Sequence, residues 1–130
     1  MEELNWIAIA AATVASFAFG ALWYSPIAFL KPWAAASGVN PEESISNPAM
    51  VYGSTFIFTL ITAVVLALIV GPAPDLASTL GTAALLGVGL VLPSQGINYL
   101  FMGRPLQWLI DALFHVARLL IMGVVIALIG

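Results

Sequence analysis

The chain has 130 residues, 62% of them hydrophobic and only 7% charged, with a formal net charge of −3 at pH 7 and a mean hydropathy of +1.11. A soluble domain is about a quarter charged, so a water-soluble fold is excluded and one integral membrane domain over residues 1–130 is expected. There is no basic run to hold nucleic acid, and with no cysteine there are no disulfides, thiolate metal sites or iron–sulfur clusters.

Crossing a hydrocarbon core of about 30 Å takes roughly 20 helical residues. Four apolar stretches qualify, at 4–24, 49–70, 76–99 and 106–129. The expected fold is all-α, a polytopic four-helix transmembrane bundle. The first stretch follows an acidic start, Met1-Glu2-Glu3, without the basic region of a cleaved signal, and reads as a retained helix. Its Ala8/Ala12 and Ala11/Ala15 pairs fit the small-xxx-small pattern of close helix contact, with Thr13 and Ser16 alongside. Ser25-Pro26 ends it, and Lys31-Pro32 with the polar residues 37–48 forms the longest loop.

Ser46, Asn47 and Pro48 supply cap chemistry for the second helix, which carries Thr55, Thr59 and Thr62 at i, i+4, i+7. Gly71-Pro72-Ala73-Pro74-Asp75 turns the chain. Pro93 predicts a kink in the third helix, with a backbone carbonyl freed one turn earlier near Gly89. Ser94, Gln95 and Asn98 follow; amide side chains are costly against lipid and are expected to face the interior. Met102-Gly103-Arg104-Pro105 is a tight turn, with Pro105 in the first turn of the fourth helix.

The fourth helix holds the most informative residues. Asp111, His115 and Arg118 recur at i, i+4 and i+7 inside an apolar run, which places them within roughly a 60° arc of one face. Each ionisable group costs on the order of 3 kcal/mol at mid-bilayer, so such residues are functional candidates. With Trp108 at the interface, Asp111 lies about 4 Å deep, His115 about 10 Å and Arg118 about 15 Å. Helical side chains lean toward the N-terminus, so Arg118 can reach back to His115 and Asp111. One reading is an internal Asp111–Arg118 pair; the other is a proton relay or polar-solute site. The threonine stripe can face this trio at matched depth, or simply bond its own helix backbone.

Trp23, Tyr24, Trp33, Tyr52, Tyr99 and Trp108 gather at the side of loops one and three, either as interfacial anchors or as an aromatic-rimmed entrance. Lys31 and Arg104 lie on that side and the other side has no Lys or Arg. The positive-inside rule therefore puts loops one and three in the cytoplasm and both termini outside. Gly20, Tyr24, Lys31-Pro32 and Trp33 are faintly echoed by Gly96, Tyr99, Arg104-Pro105 and Trp108, as though two helix pairs were repeated.

Two motifs carry a family resemblance. Gly20-Ala21-Leu22-Trp23-Tyr24-Ser25-Pro26 with Phe29, Lys31 and Trp33, and Asn98-Tyr99-Leu100-Phe101-Met102-Gly103-Arg104-Pro105-Leu106, resemble an uncharacterised membrane family, domain of unknown function 1761. The resemblance implies a small four-helix protein of the bacterial plasma membrane and no established activity. It draws attention to the face holding Trp23, Tyr24, Ser25, Tyr99 and Arg104.

No phosphate loop, nucleophile elbow or HExxH motif is present, and one His with one carboxylate is not a metal set. No catalytic residue, metal or cofactor is expected. The leading expectation is a transporter or channel-like protein for protons or a small polar solute, with Asp111, His115, Arg118, Gln95 and Asn98 as its intramembrane site. The alternative is a non-catalytic accessory or scaffold subunit binding lipid or a larger membrane complex. Expected partners are the lipid bilayer and either further copies of the chain or a larger complex.

Overall fold

The computed structural model describes residues 4–38 and 47–129. The acidic start, the acidic pair Glu42 and Glu43, and the expected cap Ser46 lie outside the described residues. Every regular element described is helical. Helix α1 (Trp6–Trp23) is capped by the Asn5 side chain, which accepts from the Ala8 N–H at 3.1 Å. Helix α3 (Pro48–Val70) starts with Pro48 behind Asn47, whose side chain accepts from the Met50 N–H, and stops at Gly71, φ 76°. Helix α4 (Leu76–Leu86) is capped by Asp75, which accepts from the Ser78 N–H at 3.0 Å. A π-helical turn (Gly87–Val91) joins it to α5 (Leu92–Phe101), and α6 (Pro105–Ile129) follows a turn at Gly103, φ 70°.

Four helical runs are long and apolar enough to cross a membrane: Trp6–Trp23, Pro48–Val70, Leu76–Phe101 and Pro105–Ile129. This is compatible with a multi-pass membrane protein. So is the outer surface, where Ile57, Phe58, Leu85, Leu90, Ile97 and Phe101 are all more than half exposed; a monomer in water rarely presents so much apolar area.

Two features depart from expectation. Loop one contains a short helix, α2 (Leu30–Ser37), closed by Gly38 at φ 79°. Ala34, Ala35 and Ala36 favour it, but eight residues are too few to register as a span. The Pro93 distortion is spread over the π turn that precedes it, and side chains serve the carbonyls of Leu90 and Leu92 rather than one near Gly89: Ser94 Oγ donates to Leu90, and Trp108 Nε1 to Leu92 at 2.9 Å.

Helix α6 is the hub. It packs against α1, α4, the π turn and α5, whereas α3 leans chiefly on α1 and scarcely meets α4 or α6. The contacts are close because small residues line them. Ala12, Ala63 and Ala83 are fully buried among Ile9, Leu66, Leu119, Met122 and Ile126, and Ala112 is fully buried elsewhere on α6. A Cβ on Gly87 would come within 3.2 Å of the Val116 backbone, and one on Gly96 within 3.2 Å of the Trp108 indole. The suggested repeat of helix pairs is not reproduced, since α3 does not occupy a place equivalent to α6. The echo is local: Gly20 and Gly96 each receive an aromatic ring from α6, Phe114 and Trp108.

The ends alternate. Asn5 Nδ2 reaches the Ile129 carbonyl at 3.5 Å, so the start of α1 and the end of α6 lie together near the 71–74 turn. Tyr24, α2, Tyr99 and Arg104 gather at the other end.

Gly87→Val is expected to destabilise the fold by about 1–3 kcal/mol, because the added carbons meet backbone. Gly53→Ala, with open space around it, is expected to cost nothing. SDS-driven unfolding in mixed micelles compares the two; equal losses would contradict the close approach of the π turn to α6.

Candidate functional site

Asp111 lies in the second turn of α6 and is 6% exposed. Both its oxygens are taken. Tyr24, one residue beyond α1, donates its hydroxyl to Oδ1, and Tyr99, in the last turns of α5, donates to Oδ2 at 2.7 Å. A carboxylate only accepts and a phenol donates readily, so the three groups are matched. A hydrogen bond to a charged group is worth about 1.5–3 kcal/mol. The Tyr24 phenol is pushed above its ordinary value, by burial first and then by the hydrogen bond to Asp111, so it stays a donor. The internal Asp111–Arg118 pair, one of the two readings of this stripe, is therefore not formed. Seven residues separate them by about 10 Å along the helix, and the two tyrosines satisfy the carboxylate first.

The family-like motifs meet around this point. Arg104 Nη1 donates to the Ala36 carbonyl at 2.8 Å, at the C-terminal end of α2, where free carbonyls and the helix dipole favour a cation. Ser25 Oγ donates to the Leu22 carbonyl at 2.6 Å and closes α1 locally. Trp23 packs on Phe29 with ring centres 4.3 Å apart, and Phe114 gathers Phe19, Trp23, Tyr24 and His115 around itself. Of the aromatic belt, Trp23, Trp33 and Trp108 are half-buried packing residues, whereas Tyr52 and Trp6 are at least half exposed.

One turn beyond Asp111, Arg118 Nε donates to His115 Nδ1 at 2.8 Å, an i, i+3 contact made by the backward lean of the arginine. The bond makes Nδ1 an acceptor and leaves the ring proton to Nε2. The pair faces a cavity of about 390 Å³ between α1, α3 and α6. Ser16, Phe17 and Gly20 wall it from α1, and Tyr52, Thr55 and Thr59 from α3. Tyr24 lines it as well and also holds Asp111. Two buried polar atoms beside this cavity have no hydrogen-bond partner, Arg118 Nη1 and Ser16 Oγ. Buried polar groups are nearly always satisfied; Trp23 Nε1, Trp33 Nε1, Thr79 Oγ1, Gln95 Oε1 and Gln107 Oε1 also lack a partner, and what sets Arg118 and Ser16 apart is that both line the cavity.

The remaining site expectations separate. Thr55, Thr59 and Thr62 donate to the carbonyls of Val51, Thr55 and Phe58, the backbone-bonding alternative, although Thr55 and Thr59 do border the cavity. Gln95 and Asn98 are not at the cavity. Gln95 is half-buried with Oε1 unpartnered, and Asn98 is exposed on α5, contrary to the expected interior position. The π turn and the docking of Trp108 on Gly96 fix the rotation of α5, and it is Tyr99 that meets α6. Phe17, Gly20 and Phe114 were not foreseen as cavity wall; in so apolar a chain nothing in their spacing distinguishes them from packing residues.

The bridge can be tested by a double-mutant cycle. Tyr24→Phe and Asp111→Asn are expected to couple by about 1–3 kcal/mol in SDS-driven unfolding. Exchanging Asp111 and Arg118 (Asp111→Arg with Arg118→Asp) is expected to recover no stability over the single changes. Recovery would show that the two charges pair after all.

The family described as "Protein of unknown function (DUF1761)" matches residues 7–127, a region that contains both motifs, the Asp111 bridge and the cavity. Searches of curated proteins and of solved structures returned no match. By that match over nearly its whole length, the chain belongs to the DUF1761 family.

Proposed function

We propose that this protein is a small multi-pass membrane transporter in which the His115–Arg118 pair receives a proton or small polar solute inside the α1/α3/α6 cavity. The observation that carries the reading is the buried, unpartnered Arg118 Nη1 beside an open cavity. An ionisable group at mid-span that served packing alone would be paired.

The shape of the cavity favours translocation over a static role. From Tyr24 to Ser16 it descends about 12 Å along α1, and beyond it stands the buried layer of Ala12, Ala63, Leu119 and Met122. A polar site backed by a packed layer on one side suits one state of an alternating-access cycle. Helix α3, loosely attached to α6, is the element free to rock. In this reading Lys31 and Arg104 put the Tyr24 end in the cytoplasm of a bacterial cell, with the termini outside, and further copies of the chain complete the assembly.

Proteoliposomes holding a trapped pH-sensitive dye test the reading under an imposed proton gradient. Wild-type protein is expected to dissipate the gradient at least ten times faster than His115→Ala or Ser16→Phe, the latter filling the cavity from a position off the pair. Equal rates for wild type and both variants, with all three folded by size-exclusion chromatography, would overturn it.

A further inference from the structure

The electrostatics of the cavity point to the chemistry of its occupant. Arg118 carries five N–H donors, and the only one with a protein partner shown is Nε, on the nitrogen of His115, which brings no negative charge. Nη1 is buried and unpartnered. The described residues include two acids. Asp75 caps α4 at the opposite end of the molecule, and both oxygens of Asp111 are taken by Tyr24 and Tyr99. Among the described residues, therefore, no carboxylate is set against the guanidinium. A charge left alone at mid-span is strongly disfavoured, so an anion from outside the chain is the natural complement.

The second unpartnered atom, Ser16 Oγ, borders the same cavity from α1 and adds a neutral donor. The remaining wall is mainly hydrocarbon and aromatic: Phe17, Ala21, Val51, Phe58 and Phe114. Phe58 is 66% exposed and Val51 42%, so the cavity opens sideways between α1 and α3 onto the surface that faces lipid. A volume of about 390 Å³ sits at the low end of the roughly 300–1,000 Å³ of small-molecule sites. An apolar cleft with lateral access and one anchored cation at its base matches an anionic head joined to a short hydrocarbon tail.

We infer that the cavity binds a single-chain amphipathic anion, a carboxylate of medium acyl length, with its head on Arg118 Nη1 and Ser16 Oγ and its tail along Phe17, Phe58 and Phe114. This rests on the proposed reading of the cavity as a solute site and replaces the small polar solute by an amphipathic anion. Arg118 supplies a planar fork suited to a carboxylate. His115, by accepting from Nε, holds that fork turned toward the cavity.

Isothermal titration of the full chain in lipid nanodiscs with decanoate at pH 8 tests the inference, since partition into the lipid is common to all variants. Wild type is expected to bind decanoate saturably, one per chain. Arg118→Gln is expected to weaken binding at least tenfold, Ser16→Ala a few-fold, and Arg118→Lys less than Arg118→Gln because the charge remains. Decanol, decyltrimethylammonium, acetate and inorganic phosphate are each expected to bind at least tenfold more weakly than decanoate. Equal decanoate binding by wild type and Arg118→Gln would overturn the inference, as would decanol matching decanoate. Acetate or phosphate matching decanoate would replace the amphiphile by a free anion. Should Arg118→Gln fail to fold, Ser16→Ala and the decanol comparison decide. Saturable binding without flux would remove transport and leave the ligand class standing; flux without decanoate binding would do the reverse.

Discussion

The structure turns on a buried carboxylate held by two phenols. Asp111 joins the end of α1 through Tyr24 and the end of α5 through Tyr99 to the second turn of α6. Every alternative leaves a charge in a medium that solvates it poorly, so the helix ends have little freedom to part. Beside it Arg104 secures α2 by its last carbonyls. One end of the molecule is thereby tied by directional polar bonds, while the opposite half is held by close contact of small residues along α6.

This division explains where the cavity lies. Helix α6 is committed on one side to α4, the π turn and α5, and on another to α1. Only α3 stands off, and the gap is the cleft that His115 and Arg118 face. Because both oxygens of Asp111 accept hydrogen bonds from elsewhere in the fold, the carboxylate does not reach Arg118, and the guanidinium is left with a histidine nitrogen and an empty side. The bridge and the cavity are two consequences of one choice of partners. Tyr24 belongs to both, donating to Asp111 and lining the cleft.

The four spans were legible because length and hydropathy suffice to define them, and their ends because Asn47, Asp75, Gly71, Gly103 and Pro105 have local chemistry that needs no tertiary context. The Arg118–His115 contact was legible for the same reason, being a helical neighbour reached by the known lean of side chains. Asp111's true partners were not. Tyr24 lies 87 residues away, and a tyrosine near a helix end reads equally well as an interfacial anchor. The sequence pattern likewise cannot say how a helix of uniform hydrophobicity is rotated, which is why Asn98 was placed inward and the cavity wall of Phe17, Gly20 and Phe114 went unnoticed. The π turn follows from how Pro93 and Trp108 are accommodated together, a tertiary fact.

The account depends most on the claim that the α1/α3/α6 cleft admits water and polar reagents although its outer neighbours are exposed apolar residues. The chain contains no cysteine, so single cysteines can be placed directly and probed in membranes with a charged methanethiosulfonate. Thr55→Cys and Phe17→Cys, on the cleft, are predicted to react at least ten times faster than Ile57→Cys and Leu113→Cys, which are exposed on the outer surface. Comparable rates at all four positions, or no reaction at Thr55→Cys and Phe17→Cys, would contradict it.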